Sequence, residues 1–306
     1  MKFQCRALGA ALLVMVGGTV SAWAGERFDL DDPNDAIKVL QKQICSLNEG
    51  EPVLHWWQGS MMSRREGERD RKLFAVQGMN MRACKNFDDP ERGHGFRSVG
   101  REVMLYLDPE TNEVLKTWEN PWTGEVVDVI HVANDPVNMG RPLHAIAEDG
   151  TPYSFRGTFM KGRVISGGAT PLFYKNPLGG AYQDYIGGTY HAMEMGSTNM
   201  YEDELMDSSI PAAYRKTISW SRVSEWLPWM KMGDRGGVVF FATVGKRAAE
   251  IDDLPEPLRT EIRTNYTTYL TPPPLDDDRS NMTSWVSTKQ AIDAARAADG
   301  NESGGE

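Results

Sequence analysis

Four side chains are placed to move protons: Glu102, His131, Asp135 and Glu194. His131 lies in EVVDVIHV (125–132), alternating with Val127 and Val129, so it shares their buried or half-buried face. A histidine there works as a general base near neutral pH when a carboxylate such as Asp135 or Glu102 stands beside it. It also has a purely structural reading, satisfied by a backbone carbonyl, and Asn134-Asp135-Pro136 is a good turn in its own right. Glu102 shares a face of REVMLYLD (101–108) with Met104 and Tyr106, and Glu194 shares one of TYHAMEM (189–195) with Tyr190. Arg156, in YSFRGTFM (153–160), and Arg222, in TISWSRV (217–223), are the candidates to hold an anionic group, with Tyr106 available to stabilise developing charge.

Aromatic and thioether surface accompanies these charges. In SWSRVSEWLPWMKMGDRGG (219–237) the strand half reads as core and the loop half, with Trp229 and Met232, as the rim of a pocket. Arg222 beside Trp220 is suited to receive a carboxylate or stack on a ring. Faces that mix a charge with an aromatic or a methionine suit a ligand cavity, which needs apolar area for affinity and a few polar groups for orientation. An ordinary sheet with snorkelling surface charges gives the same pattern. Familiar catalytic signatures are missing: there is no G-x-S-x-G, no H-E-x-x-H and no Walker loop, so no cofactor is expected. His55, His94, His131, His144 and His191 are too scattered for a local metal pair, and no metal site is assigned.

The elements that must position these side chains read mainly as strands. VLHWW (53–57), KLFAVQGMNM (72–81), REVMLYL (101–107), EVLKTW (113–118), EVVDVIHV (125–132), YSFRGTFM (153–160), TYHAMEM (189–195), TISWSRV (217–223) and GVVFFATVG (237–245) are short and rich in β-branched and aromatic residues. No long helical pattern separates them, which argues against parallel crossovers. The expected fold is mainly β, an antiparallel barrel or strongly curved sheet with an N-terminal helix and short C-terminal helices. Asp32-Pro33-Asn34 starts the first helix, whose apolar stripe Ile37, Leu40, Ile44 runs to about Ser46. The later helices are expected over 255–266 and 283–298, and the polar tail from Asp299 is expected to be disordered.

Lys2 and Arg6, the apolar run Leu8 to Val20 and the small residues around Ser21-Ala22-Trp23-Ala24 form a secretory leader, with cleavage expected before Gly25. An uncleaved anchor is the alternative. Residues 25–298 are then expected as one β-rich domain in a bacterial periplasm or outside the cell, with no later stretch long enough to span a bilayer as a helix. In that oxidising setting Cys45 and Cys84 suit a disulfide worth about 4 kcal/mol on the chain-entropy model, two free thiols being the other reading. A net charge of -10 with only scattered basic residues excludes nucleic acid as an expected partner. Oligomeric state is left open.

The run REVMLYLDPETNEVLKTWENPWTGEVVDVIHVANDPVN (101–138), with HWWQGS (55–60), ISWSRVSEWLPWMKMGDRGG (218–237) and DDLPEPLR (252–259), resembles the bacterial family catalogued as domain of unknown function 1838. The resemblance covers about Asp29 to Trp285 and implies a single integrated domain, with no activity, cofactor or catalytic residue to carry over. Two functions are carried forward. One is an exported enzyme, a lyase, isomerase or hydrolase acting on a small apolar or aromatic molecule by carboxylate and histidine acid-base chemistry. The alternative is a non-catalytic periplasmic binding or carrier protein for such a ligand.

Overall fold

The computed structural model describes residues 25–175, 178 and 189–302; the expected leader (1–24) and residues 176, 177, 179–188 and 303–306 lie outside the described residues. Asp32 caps the first helix, α1 (Pro33–Ile44), by accepting from the Asn34 amide, and Pro33 takes the first helical position. Then come β1 (Val53–Arg64), β2 (Arg71–Asp89), β3 (Gly93–Leu107), β4 (Thr117–Glu119), β5 (Val126–Asp128), β6 (Val132–Asn134), β7 (Leu143–His144), β8 (Thr158–Met160), β9 (Arg163–Lys175) and β10 (Thr189–Tyr201). A short α2 (Glu202–Met206) leads to β11 (Thr217–Ser224) and β12 (Val238–Ala248), and α3 (Leu258–Thr264) and α4 (Ser284–Glu302) follow.

Ten strands form one antiparallel sheet in the order β6-β3-β2-β1-β12-β11-β10-β9-β8, with β7 also on β3; β4 and β5 pair separately. The sheet stays open, so the barrel alternative gives way to the curved sheet. Its curvature follows from α1. Gln41 of α1 hydrogen-bonds His94 on β3 at 2.8 Å, while Gln43, two residues on, accepts from Ser166 on β9 at 2.8 Å. Those strands are six places apart, roughly 29 Å in a flat sheet at strand spacing. A helix about 10 Å across touches both only if the sheet wraps round it. Glycines on the inner face permit the tight coil: a Cβ on Gly78 would meet the Trp57 ring at 2.5 Å.

The inner face is plugged at two ends. Near α1, Ile37, Cys45, Val53, Cys84 and Phe96 pack together, and Cys45 is disulfide-bonded to Cys84. At the other end the β4–β5 hairpin and the loop after β11 bury Phe74, Tyr106, Trp229, Met230 and Met232. On the outer face, Leu254, Leu258, Ile262 and Tyr269 cover Leu54, Met79, Val103 and Leu105. The helix α4 packs on β6 while its Trp285 and Ile292 join Leu172 of β9 and Ala192 of β10, bridging the seam that the strands leave open. No helix among the described residues is long and apolar enough to cross a membrane.

Three expected strands are shortened, EVLKTW to its last two residues at the start of β4. EVVDVIHV breaks into β5 and β6, because β5 folds away with β4 over the aromatic plug before the chain returns to the edge of β3. Of YSFRGTFM only Thr158–Met160 pairs.

Candidate functional site

Register assembles the site. On the inner face Asn134 of β6 lies opposite Glu102 of β3, Glu102 opposite Asn80 of β2, and Asn80 opposite His55 of β1. One turn of the pleat along, Met104, Gly78 and Trp57 form the next row, continued by Ile218 and Thr198. Directly paired residues of an antiparallel sheet project to the same side, so residues remote in sequence face one space. That space is a pocket of about 350 Å³, lined also by Arg82, Glu194, Lys216, Trp220 and Arg222 and roofed by Gln43 and Ile44 of α1 and Ser284 of α4.

One wall is aromatic: the Trp57 and Trp220 rings lie 6.4 Å apart, tilted by 53°. The floor and far side are polar. Arg222 donates to Glu194 Oε1 at 3.2 Å, and Asn134 Nδ2 lies 3.4 Å from Glu102 Oε1. The Arg82 Nε donates to Asn80 Oδ1, and Lys216 Nζ donates to the Gln43 carbonyl and stands 3.2 Å from His55 Nε2. Gln43 Nε2, Asn80 Nδ2 and Trp57 Nε1 are buried donors with no hydrogen-bond partner among the described residues. Most buried polar atoms are paired, so unpaired polar atoms gathered round one pocket distinguish this part of the interior from the rest.

Electrostatics follow from taking these groups out of water. Burial raises the Glu102 pKa, opposed by Arg82 and reinforced by Glu194, which favours the neutral acid. Burial first, then the positive charges of Lys216, Arg82 and Arg247, holds His55 neutral with a pKa well below its ordinary value. Burial, with Arg82 and Arg247 adding to it, brings Lys216 down to about 7. The pocket thus brings together a carboxyl group shifted toward its acid form, an imidazole shifted toward its neutral form and an amine that titrates near neutrality, beside the cations Arg82 and Arg222. Among the described residues no three His, Cys, Asp or Glu side chains gather in an arrangement able to hold a metal.

Of the residues singled out from the sequence, Glu102, Glu194, Trp220 and Arg222 come together here. The others do not. His131 accepts from the Tyr106 amide at 3.1 Å and stacks on its ring with centroids 6.0 Å apart, outside the pocket. Its ring nitrogen is committed to the backbone, and neither Asp135 nor Glu102 is its partner. Asp135 instead pairs with Arg101 at 3.1 Å and Arg279 at 2.8 Å. Tyr106, 1% exposed, packs against Phe74 and Trp229.

Within 219–237, Trp226 and Leu227 are core as expected, but the loop is not a rim. Trp220 lines the pocket, while Trp229 and Met232 are 3% and 1% exposed in the plug. Leu227 and the turn Pro228–Met230 fold the loop inward, and Asn120 Nδ2 holds it by donating to the Met230 carbonyl at 2.9 Å. Arg156 is exposed on a separate open cleft beside Tyr153 and Phe155.

Sequence reasoning missed Trp57, Asn80, Arg82 and Lys216, and saw His55 only as an isolated histidine. The alternation in VLHWW puts His55 on the side of Trp57, which was a usable signal; which residues of other strands lie opposite was not.

The family model described as "Protein of unknown function (DUF1838)" matches residues 50–292, and the chain belongs to that family. No curated protein sequence matches it. Among solved structures it aligns with the crystal structure of Ail, the attachment invasion locus protein of Yersinia pestis, at 8% identity over 65% of this chain and 99% of that one, with a TM-score of 0.17. A likeness that slight carries no argument about fold or function.

Proposed function

We propose that this chain is an exported small-molecule enzyme of the acid-base class, acting on an apolar or aromatic molecule with an anionic or oxygen-rich end. One observation carries the reading: Glu102, His55, Arg82 and Lys216 are drawn out of water into one pocket with no salt bridge among them. Desolvating ionisable groups is costly, and a fold that needs only a filled interior would place apolar side chains there. Such clusters of shifted groups in a cleft are characteristic of catalytic sites.

In this reading Trp57 and Trp220 receive the apolar part. The cations Arg222 and Arg82, with the free donors of Gln43, Asn80 and Trp57, receive the oxygens. Glu102 in its acid form delivers a proton, held in place by Asn134. Export is part of the proposal; it draws on the leader-like N-terminus and on the Cys45–Cys84 disulfide, which persists in oxidising compartments. A carrier binding the same molecule unchanged is the second reading, supported by the tryptophan wall, which provides affinity without chemistry.

The test is a titration of tryptophan fluorescence with benzoate, a minimal aromatic anion. A saturable change from a single site is expected, weakened about ten-fold or more by Arg222→Ala, as for loss of a charged hydrogen bond. No saturable change, or one unaffected by Arg222→Ala and Trp220→Ala, would count against the pocket.

A further inference from the structure

The acid-base reading gives Lys216 no task, yet its placement is unusual. Lysines ordinarily lay their stems along the surface and keep the amine in water. Lys216 is 7% exposed, lines the pocket, and turns Nζ inward to the Gln43 carbonyl and to His55. The charges that act on it, Arg82 and Arg247, are both positive. A lysine desolvated beside cations is the usual setting of an amine nucleophile. In the uncharged form, two N–H bonds serve the Gln43 carbonyl and His55 Nε2, and the lone pair is left for the pocket. With a pKa of about 7, a large share of the amine is in that form at neutrality.

We propose that Lys216 condenses with the carbonyl carbon of an aldehyde or ketone bound in the pocket, forming a Schiff base; this rests on the small-molecule reading above. The Nζ lone pair bonds to the carbonyl carbon and the C=O π pair moves to oxygen, which takes one proton while the nitrogen gives one up. The resulting carbinolamine loses that oxygen as water together with the second N–H proton, so the imine forms without oxidant, reductant or further reactant. Glu102 is the acid that protonates the departing oxygen, and the carboxylate it leaves takes up the proton that the nitrogen gives up, while His55 accepts an N–H of Lys216 and holds the amine in place. Once protonated, the imine draws electrons from the neighbouring carbon and weakens its C–H and C–C bonds. That chemistry suits a lyase or isomerase better than a hydrolase. The substrate class is then an oxo-acid, its carbonyl at Lys216 and its anionic end toward Arg82 or Arg222.

The probe is 4-carboxybenzaldehyde, which carries a ring, a carboxylate and a carbonyl. The purified protein is incubated with it at neutral pH, reduced with cyanoborohydride and mapped by peptide mass spectrometry. One adduct per chain on Lys216 is expected, heavier by the probe's mass less one oxygen atom. It should be absent in Lys216→Arg and suppressed by excess benzoate; should that variant not fold, benzoate protection in the unaltered protein serves in its place. Adducts spread over exposed lysines with Lys216 unmodified would overturn the Schiff base. If benzoate still binds in that case, the pocket reading stands and only the lysine's role falls; if benzoate also fails to bind, both fall.

Discussion

The inner face of the sheet carries two neighbouring regions built on opposite terms. In the plug, Phe74 meets Tyr106, Trp118 and Trp229 with ring centroids 5.4–5.6 Å apart, and the polar atom of Trp226 is satisfied by the Arg235 carbonyl at 2.8 Å. A short way along the same strands, the pocket holds orphaned donors, a raised carboxylic acid and a depressed lysine. Strand β3 contributes Tyr106 to one and Glu102 to the other, four residues apart on one face. The plug has the packing expected of a region kept for stability. The pocket keeps ionisable groups out of water, which costs stability that an apolar filling would not.

The largest effect expected from breaking that contrast is on the plug side. Trp229→Ala should lower unfolding free energy by about 4 kcal/mol, as for other large buried aromatics. Trp220→Ala, on the half-exposed pocket wall, should cost about half as much or less and weaken benzoate binding instead. Urea denaturation with fluorescence titration of both variants checks this; the opposite ranking would exchange the two assignments.

Next in size is the disulfide. Replacing Cys45 and Cys84 together by serine should cost roughly 3–4 kcal/mol. Because Cys45 directly follows the roof residues Gln43 and Ile44, benzoate affinity should fall as well. Lost stability with unchanged affinity would mean that the pocket roof does not depend on this tie.

The smallest effect carries the sharpest sign. Glu102 has a raised folded pKa, so between the unfolded value and that raised value the folded state holds a proton that the unfolded state has released. Stability from this group is therefore present at low pH and falls as pH rises through the window. Glu102→Gln removes the penalty: a higher denaturation midpoint than that of the unaltered protein is expected near neutral pH, the difference shrinking as pH falls toward the range where the unfolded carboxyl is itself protonated. A loss at neutral pH would show that the carboxylate is structural.

How much of this was legible in the sequence follows the same division. Local signals carried the elements: Asp32-Pro33 set the start of α1, and β-branched runs marked the long strands. Alternation within one strand was enough to put Glu102 with Met104, and Trp220 with Arg222, on shared faces, and left open whether those faces point inward. What alternation lacks is register. Nothing within VLHWW, FAVQGMNM or REVMLYL says that His55, Asn80 and Glu102 stand in one row, since that pairing is fixed by contacts between strands. Lys216 was hidden for another reason: it precedes the strand TISWSRV and reads as an ordinary surface cation until α1 is folded over it. Trp229 and Met232 misled because a Trp-Met-Lys-Met loop has the composition of a rim, and only the inward turn at Pro228 makes it core.

On the function proposed above, the inner-face pocket and not the plug does the protein's chemistry. Native mass spectrometry of the gently purified protein, beside Glu102→Gln, tests it most directly. One small molecule retained per chain is expected, displaced by benzoate and converted on incubation by the unaltered protein but not by Glu102→Gln. A retained molecule that benzoate leaves in place, or one converted equally by both proteins, would contradict it.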